Sequence, residues 1–265
     1  MTLIMGVLNV TPDSFSDGGL WGDAEAAVEH GAALAAQGAD IVDVGGESTR
    51  PGAARTSIDE ELSRVLPVIA GLTERGVTTS IDTMRATVAQ ECVAAGAAII
   101  NDVSGGLAEA DMVSVAASTG RPFVAMHWRG HSDTMNEAAM YDDVVAEVVA
   151  HLSARVADLV SRGVAAEHII VDPGFGFAKD AHHNWTLLAG LDEVVALGHR
   201  VLVGASRKRF LGELPGIEPI PAEQRDVATA ATSLLAAQAG AWAVRVHDVP
   251  STAHALGVFD MVRRG

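Results

Sequence analysis

The 265 residues of this chain would fit one (β/α)8 barrel or two ordinary domains. Its 18 Lys and Arg residues stand against 34 Asp and Glu residues, and the net charge of −16 argues against wholesale binding to nucleic acid or to an anionic membrane surface. A small-molecule ligand fits this composition better. With 49% hydrophobic but only 4% aromatic residues, the core must consist mainly of aliphatic side chains.

Eight apolar segments of strand length alternate with segments of helical periodicity. The predicted strands cover residues 3–10, 41–44, 78–81, 99–100, 123–126, 169–171, 201–203 and 242–246. The predicted helices cover residues 23–37, 58–74, 85–95, 111–119, 141–162, 181–197, 225–239 and 250–263. The strands are short, continuously apolar and rich in β-branched residues, which is typical of a parallel sheet covered by helices.

Eight such strand–helix units predict an α/β fold of the closed (β/α)8 TIM barrel type. We expect a single domain over residues 1–265, because no linker or change in composition divides the chain. A doubly wound open sheet with the same elements is the alternative. Such a sheet normally carries a glycine-rich dinucleotide fingerprint after its first strand, and the sequence GVLNVTPDSFSD is not one.

Cys92 is the only cysteine, so the chain has no intramolecular disulfide and no cysteine-based zinc site. It falls within a predicted helix, where we expect it to pack in the core. The N-terminus enters an apolar stretch at Leu3 without a basic leader, and no apolar run approaches the length of a membrane span. We therefore expect an unprocessed cytoplasmic protein.

The reacting groups of such a barrel lie at the carboxyl ends of its strands. At these predicted ends stand Asn9, Asp43, Asp82, Asn101, Asp102, His127, Asp172, Ser206, Lys208, Arg245, His247 and Asp248. Any one of them has a simpler explanation as a helix cap or turn residue, and His127 is expected to be structural. Their occurrence at nearly every strand end indicates a ligand site.

The chemistry of these side chains falls into two groups. Donors suited to phosphate oxygens are Asn9, Lys208, Arg245 and His247. The run of cations at residues 207–209 supports an anionic ligand, although a solvated basic turn would look the same. The amide oxygen of Asn9 also suits a hard metal ion. Acceptors suited to the N–H groups of an amino-pyrimidinone are Asp82, Asn101 and Asp172. The predicted pocket thus holds a planar nitrogen heterocycle at its bottom and a phosphate group at its rim.

Seven motifs between residues 5 and 248 carry a family resemblance: GVLNVTPDSFSDGG, VDVGGESTRPGA, SIDTMR, NDVSGG, DPGFGFAK, GASRKRF and RVHDV. In this order and at these spacings they closely resemble the dihydropteroate synthase family of folate biosynthesis. The resemblance implies a (β/α)8 barrel, usually a homodimer, that condenses 6-hydroxymethyl-7,8-dihydropterin diphosphate with 4-aminobenzoate. It also implies that Mg2+ assists the release of diphosphate and that sulfonamides compete for the aminobenzoate position.

The resemblance further implies roles for individual residues. The implied pterin-binding residues are Asp82, Asn101, Met126, Asp172 and Lys208. The implied diphosphate-binding residues are Asn9, Arg245 and His247, with Asn9 also as the Mg2+ ligand. The implied aminobenzoate-binding residues are Phe15, Ser48, Thr49, Pro51, Phe177 and Ser206. The implied catalytic residues are Asp17, Arg50, Asp82 and Lys208.

Two other hypotheses stay open from the sequence. A pterin-binding methyltransferase barrel would pass a methyl group from methyltetrahydrofolate to a corrinoid, but it has no use for the diphosphate ligands in SRK and RVH. A catalytically silent paralogue would bind pterin or a partner without turnover, and the completeness of the motifs argues against it. Residues 129–141 and 212–224 match no motif of the family.

Overall fold

The computed structural model describes residues 1–11, 19–47, 56–130 and 139–264, with the backbone alone for residues 19–23. Eight parallel strands close into a barrel in chain order, and β1 pairs with β8. The strands are β1 Leu3–Asn9, β2 Ile41–Gly45, β3 Thr79–Asp82, β4 Ile99–Asp102, β5 Phe123–Met126, β6 Ile169–Asp172, β7 Arg200–Val203 and β8 Ala243–Val246. This closure confirms the predicted (β/α)8 barrel and rules out the open sheet.

Helices follow the strands around the outside of the barrel. Within the described residues they are α1 Gly19–Ala36, α2 Ile58–Glu74, α3 Ala86–Ala94, α4 Met112–Thr119, α5 Val144–Ser161, α6 Ala181–Ala189, α7 Leu191–Val195, α8 Asp226–Ala239 and α9 Val249–Arg264. In this same part of the chain, no helix is both long and apolar enough to cross a membrane.

The helix boundaries differ from the prediction by more than one residue in three places. Helix α1 begins at Gly19 instead of residue 23, because the glycines there resemble a loop in the sequence. Helix α5 begins at Val144, after Asp143 caps it by accepting N–H groups at 3.1 Å each from Val145 and Ala146. The predicted helix 181–197 is two helices, because the chain breaks at Gly190, where an added Cβ would stand 3.0 Å from Val145 Cγ2.

The barrel interior and the space between strands and helices hold two separate cores. Side chains alternate between the two faces of each strand. The inner core contains Met5, Ile41, Ile99, Val124, Ile170, Leu202 and Ala243. Alternate residues such as Val42 and Val244 join the larger core beneath the helices, where Cys92 is completely buried, as predicted. The inner core forms an apolar floor, and the next side chains along each strand face the mouth of the barrel.

Candidate active site

A layer of mostly polar side chains lies directly above the apolar floor. Each of its residues follows, two positions later on the same strand, a residue of the apolar floor. These residues are Asp43, Asn101, Met126, Asp172 and Arg245. Because side-chain direction repeats every two residues along a strand, these side chains point toward the barrel mouth. Asp82, at the end of β3, joins the layer through its contact with Arg245. The structure therefore brings together four of the five residues implied to bind pterin, and the fifth, Lys208, follows β7.

Arg245 organises the carboxylates of this layer. Its Nε donates to Asp43 Oδ2 and its Nη2 donates to Asp82 Oδ2, each at 2.7 Å. Asn101 Nδ2 donates to the same Asp43 oxygen at 3.0 Å. Asp43 is completely buried and belongs to the polar layer, although the sequence placed it only at a strand end and gave it no ligand to bind. The sequence does contain a signal that could have identified Asp43, because it is a charged residue inside the otherwise apolar strand IVDVG.

Two carboxyl groups of the layer have unusual pKa values. Burial raises the pKa of Asp82 to about 7, since the opposing charge of Arg245 only partly offsets the desolvation. Burial also raises the pKa of Asp172 to about 6, although the Gly174 N–H donates to its Oδ1 at 2.7 Å. Both groups therefore titrate near neutral pH. A ligand that offers N–H donors would favour their ionised forms.

Lys208 supplies the cation on the opposite side of the mouth. Its Nζ lies 3.9 Å from the centre of the Phe177 ring. Burial lowers its pKa to about 8; Arg245 acts in the same direction, and the carboxylate of Asp172 opposes the shift. A Cβ at Gly176 would stand 2.7 Å from Lys208 Cδ, so glycine is needed there for the lysine chain to pass. Lys208 therefore reaches the site between Phe177 and Gly176.

The arginines beside Lys208 face other partners. Arg207 has a positive φ of 59° and donates two hydrogen bonds to Asp226 on α8, at 2.7 and 2.8 Å. The side chain of Arg209 is 87% exposed and pairs with Glu213 at 2.8 Å. The basic run is therefore not one cationic cluster. Of its three cations, Lys208 alone lies against the carboxylates of the mouth.

The rim of the mouth carries Asn9, Ser206 and His247. An added Cβ at Gly45 would lie 3.7 Å from Asp82 Oδ2 and 3.8 Å from Asn9 Oδ1, so Asn9 and Asp82 border the same space. Ser206 Oγ lies 2.9 Å from His247 Nδ1 and accepts the His247 N–H at 3.2 Å. Burial lowers the pKa of His247 to about 4, with Arg245 adding to the shift. At neutral pH, His247 is therefore an uncharged donor and not a cation.

Lys179 is a second residue that sequence reasoning missed. Its Nζ lies 3.1 Å from His127 Nδ1 and donates to the carbonyls of Gly174 and Phe177 at 3.0 and 3.2 Å. Burial lowers the pKa of Lys179 to about 7 and that of His127 to about 2. His127 is thus a neutral, buried side chain next to Lys179. Lys179 fixes the loop that presents Phe177 to Lys208.

Other strand-end residues have local roles or lie outside the described part of the chain. Asp102 accepts hydrogen bonds of 2.7 Å from Ser104 N, Ser104 Oγ and Gly106 N, so it stabilises its own loop. The expected binding and catalytic residues outside the described part are Phe15, Asp17, Ser48, Thr49, Arg50 and Pro51.

Comparisons of this chain with family models, known sequences and solved structures all indicate the same family. A family model described as "Pterin binding enzyme" matches residues 5–247. The dihydropteroate synthase of Mycobacterium leprae is 53% identical over 259 residues, which cover 96% of this chain and 91% of the relative. The solved structure of Xanthomonas albilineans dihydropteroate synthase with 4-aminobenzoic acid has a TM-score of 0.91 and 46% identity, covering 99% of this chain and 93% of the other.

A second solved structure, the Xanthomonas albilineans enzyme in complex with 7,8-dihydropteroate, has a TM-score of 0.88 and 43% identity and covers 99% of this chain and 94% of the other. The similarity extends over the whole barrel, including the strand ends that form the polar layer. The chain belongs to the dihydropteroate synthase family of pterin-binding enzymes.

Proposed function

We propose that this chain is a transferase that condenses 6-hydroxymethyl-7,8-dihydropterin diphosphate with 4-aminobenzoate to give 7,8-dihydropteroate and diphosphate. One observation carries the proposal: Asp82 and Asp172, with raised pKa values, share the barrel mouth with the cation of Lys208. Solved relatives that bind 4-aminobenzoic acid and 7,8-dihydropteroate support the identity of the second substrate and of the product.

The polar layer suits the pterin ring. The carboxylates of Asp82 and Asp172 accept N–H groups from its amino-pyrimidinone edge, and the ionised carboxylates make the stronger, charge-assisted hydrogen bonds. Met126, which is 3% exposed, offers an apolar surface to the flat ring between these acceptors. Arg245 keeps its charge, because the carboxylates of Asp43 and Asp82 raise its pKa against the effect of burial. The ring is thereby oriented with its diphosphate arm toward the rim.

The reaction requires the departure of diphosphate from the exocyclic methylene of the pterin. The carbon–oxygen bond breaks with its electron pair remaining on diphosphate, while the electron-rich pterin ring delocalises the positive charge. Lys208 and the neutral His247 stabilise the leaving anion by electrostatic attraction and hydrogen bonding. The amine nitrogen of aminobenzoate then bonds to the methylene and loses one proton to water. This sequence needs no nucleophile from the protein.

We propose that Mg2+ binds together with the diphosphate at Asn9. The described residues contain no group of three or more His, Cys, Asp or Glu side chains able to hold a metal ion. Mg2+ commonly uses few protein ligands together with substrate phosphates and water, so a single protein oxygen beside the diphosphate is enough. Asn9 is an exposed residue, and its amide oxygen borders the same space as Asp82 and is a hard ligand of the required type. When bound, the ion neutralises charge on the leaving diphosphate.

The decisive experiment incubates purified protein with the dihydropterin diphosphate, radiolabelled 4-aminobenzoate and Mg2+. Labelled dihydropteroate is the expected product. A parallel reaction with Lys208→Ala should form far less product, which ties turnover to the described site. If folded wild-type protein binds a pterin analogue but forms no product, the chain is a silent paralogue and the proposal is wrong.

We also propose that the chain is a homodimer, as the family resemblance implies. Helices α8 and α9 pack on each other and expose several apolar side chains, Val227, Leu235, Val258, Met261 and Val262. Several exposed apolar side chains on two helices that pack together are available for an association surface. Light scattering at micromolar concentration should give twice the chain mass of 27.4 kDa. A mass equal to one chain would contradict the proposed dimer.

A further inference from the structure

Ser206 and His247 meet at the rim of the barrel mouth, just beyond the ends of β7 and β8. Ser206 Oγ lies 2.9 Å from His247 Nδ1, and it also accepts the backbone N–H of His247 at 3.2 Å. The serine is buried, with 7% of its surface exposed. Two contacts to one residue fix both the distance and the direction of the hydroxyl relative to the imidazole.

These two contacts determine which atom of the pair donates. A hydroxyl has one proton to donate and two lone pairs to accept with. Among the described residues, His247 Nδ1 is the one acceptor bonded to Ser206 Oγ, while the backbone N–H of His247 already donates to that oxygen. If Nδ1 carried the proton, the oxygen would face two donors, and its own buried proton would lack an acceptor at a cost in free energy. Ser206 therefore donates to Nδ1, and the proton of the neutral imidazole lies on Nε2.

The position of that proton decides what His247 offers to a ligand. Burial lowers the pKa of His247 to about 4, and the positive charges of Arg245, Arg207 and Lys208 add to the shift. The imidazole is therefore neutral, and only its protonated nitrogen can donate to an anion. Within the described part of the chain, Nε2 has no bonded partner and is not sealed from solvent. It is the ring nitrogen available to a ligand.

The turn that carries Ser206 is fixed from outside the barrel by α8 and the residue before it. The Arg207 N–H donates to Thr229 Oγ1 at 3.1 Å, and the Arg207 carbonyl accepts from Arg225 Nη1 at 3.0 Å. Arg207 has a φ of 59°, a conformation that costs free energy in a residue other than glycine and persists only where its surroundings hold the backbone. The Ser206 hydroxyl is therefore presented to the imidazole by a rigid turn.

We infer that Ser206 is a positioning residue for the leaving diphosphate: its hydroxyl holds the His247 imidazole in one orientation and in the tautomer whose Nε2–H donates to the anion. The inference rests on the proposed function, in which His247 binds diphosphate. The family resemblance implies that Ser206 binds aminobenzoate, whereas its two contacts commit the hydroxyl to His247. A donor that is oriented in advance stabilises a developing negative charge without reorganisation.

The first measurement is the tautomer of His247. Proton–nitrogen NMR of protein labelled with 15N-histidine distinguishes a protonated from an unprotonated ring nitrogen, and the signals lost in His247→Ala identify this residue. In wild type at neutral pH we expect a protonated Nε2 and an unprotonated Nδ1. In Ser206→Ala the signals should shift toward those of an imidazole that exchanges its proton between the two nitrogens. A proton on Nδ1 in wild type, or unchanged signals in Ser206→Ala, would overturn the inference.

The second measurement is the calorimetric affinity for inorganic diphosphate in the presence of Mg2+. Ser206→Ala should weaken this binding about tenfold, because a hydrogen bond to a charged group loses its oriented donor. Ser206→Thr keeps the hydroxyl and should restore most of the affinity. The matched control is Ser161→Ala, at the exposed end of α5, which should leave diphosphate binding unchanged.

A double-mutant cycle separates positioning from direct contact with the anion. If Ser206 acts through His247, adding Ser206→Ala to His247→Ala should weaken diphosphate binding no further. A second loss of the full size would show that Ser206 binds diphosphate itself, and unchanged diphosphate affinity in Ser206→Ala would show that its hydroxyl does not serve the anion. Either result would overturn the inference. A wild-type protein that shows the expected tautomer and binds diphosphate, but forms no dihydropteroate, would overturn the proposed function alone.

Discussion

The guanidinium of Arg245 lies 2.7 Å from the carboxylate of Asp82, although 163 positions separate the two residues in the chain. The same guanidinium also holds Asp43 at 2.7 Å, so one cation from β8 joins the middle of β2 to the end of β3. A residue implied to bind diphosphate is therefore in contact with a carboxylate implied to bind pterin. This pairing fixes the polar layer before substrate binds, which is the condition for electrostatic preorganisation.

Replacing Lys208 by Ala should slow condensation by about a hundredfold, equivalent to roughly 2.7 kcal/mol of lost transition-state stabilisation. The reason is that Lys208 alone among the cations at 207–209 lies against the carboxylates of the mouth. Single-turnover kinetics at saturating substrates measures the effect. Arg264→Ala removes an exposed cation at the end of α9 and serves as the control. Near-normal turnover by folded Lys208→Ala would show that the lysine has no part in the reaction.

Replacing Asp172 by Asn should weaken binding of a pterin analogue by about 1 to 3 kcal/mol, because a donor then faces the donor edge of the ring. The Gly174 N–H contact at 2.7 Å goes to one carboxylate oxygen, and an asparagine amide oxygen can retain it. The loop should therefore keep its conformation, and calorimetry will report binding alone. Unchanged affinity would mean that Asp172 only supports its loop.

The affinity for pterin should depend on pH through Asp172. Burial raises the pKa of Asp172 from 3.8 to about 6, so the carboxylate takes up a proton as the pH falls through that value. Since the ionised form is the acceptor, titration of Asp172 alone should make the affinity at pH 5 about tenfold lower than at pH 7. The Asp172→Asn variant should lose this part of the pH dependence of affinity. It should keep only the part that comes from Asp82, whose pKa is about 7. A flat profile in wild type would contradict the prediction.

Protonation of Asp172 also affects stability. As the pH rises, the free energy of unfolding should fall, whereas the affinity for pterin should increase. A raised pKa means that the folded state binds the Asp172 proton more tightly than the unfolded chain does. The contribution of Asp172 to the free energy of unfolding should therefore decrease as the pH rises from 3.8 to about 6. Urea unfolding of wild type and Asp172→Asn across this range measures it. An equal pH dependence in both proteins would exclude Asp172 as the source.

Replacing Asn9 by Ala should raise the Mg2+ concentration needed for half-maximal activity about tenfold, since the proposed hard-oxygen ligand is lost. Calorimetric titration of diphosphate gives a readout independent of turnover. In wild type, Mg2+ should strengthen diphosphate binding, and EDTA should abolish that gain. In Asn9→Ala, the affinities for diphosphate measured with Mg2+ and with EDTA should differ less than they do in wild type. An identical Mg2+ effect in both proteins would place the ion elsewhere.

Replacing Asp43 by Ala should lower the free energy of unfolding by about 3 kcal/mol, because Arg245 and the Asn101 amide each lose a buried partner. Urea unfolding measures the loss. Glu29→Ala is the matched control, since its ion pair with Arg75 is exposed and should leave stability nearly unchanged. If the two variants lose equal stability, the buried pairing does not stabilise the barrel.

The sequence by itself determined the barrel and the position of the site. Each strand is encoded by a short apolar run and each helix by its own periodicity, and both signals are local. Eight parallel strand ends must meet at one end of a closed barrel, so residues such as Asn101 and Asp172 were placed together by pattern alone. The break at Gly190 escaped prediction, because the apolar periodicity continues across it; the structure shows that an added Cβ there would stand 3.0 Å from Val145 of another helix.

Only the tertiary structure decided which side chains meet. Sequence showed three adjacent cations, but Lys208 enters the mouth past Gly176, while Arg207, which has a positive φ, donates to Asp226. It showed neither the pairing of Asp43 with Arg245 nor the hydrogen bond from Asn101 to Asp43. These partners lie on different strands and loops. Periodicity along one segment carries no information about contacts between segments that only the closed barrel brings together.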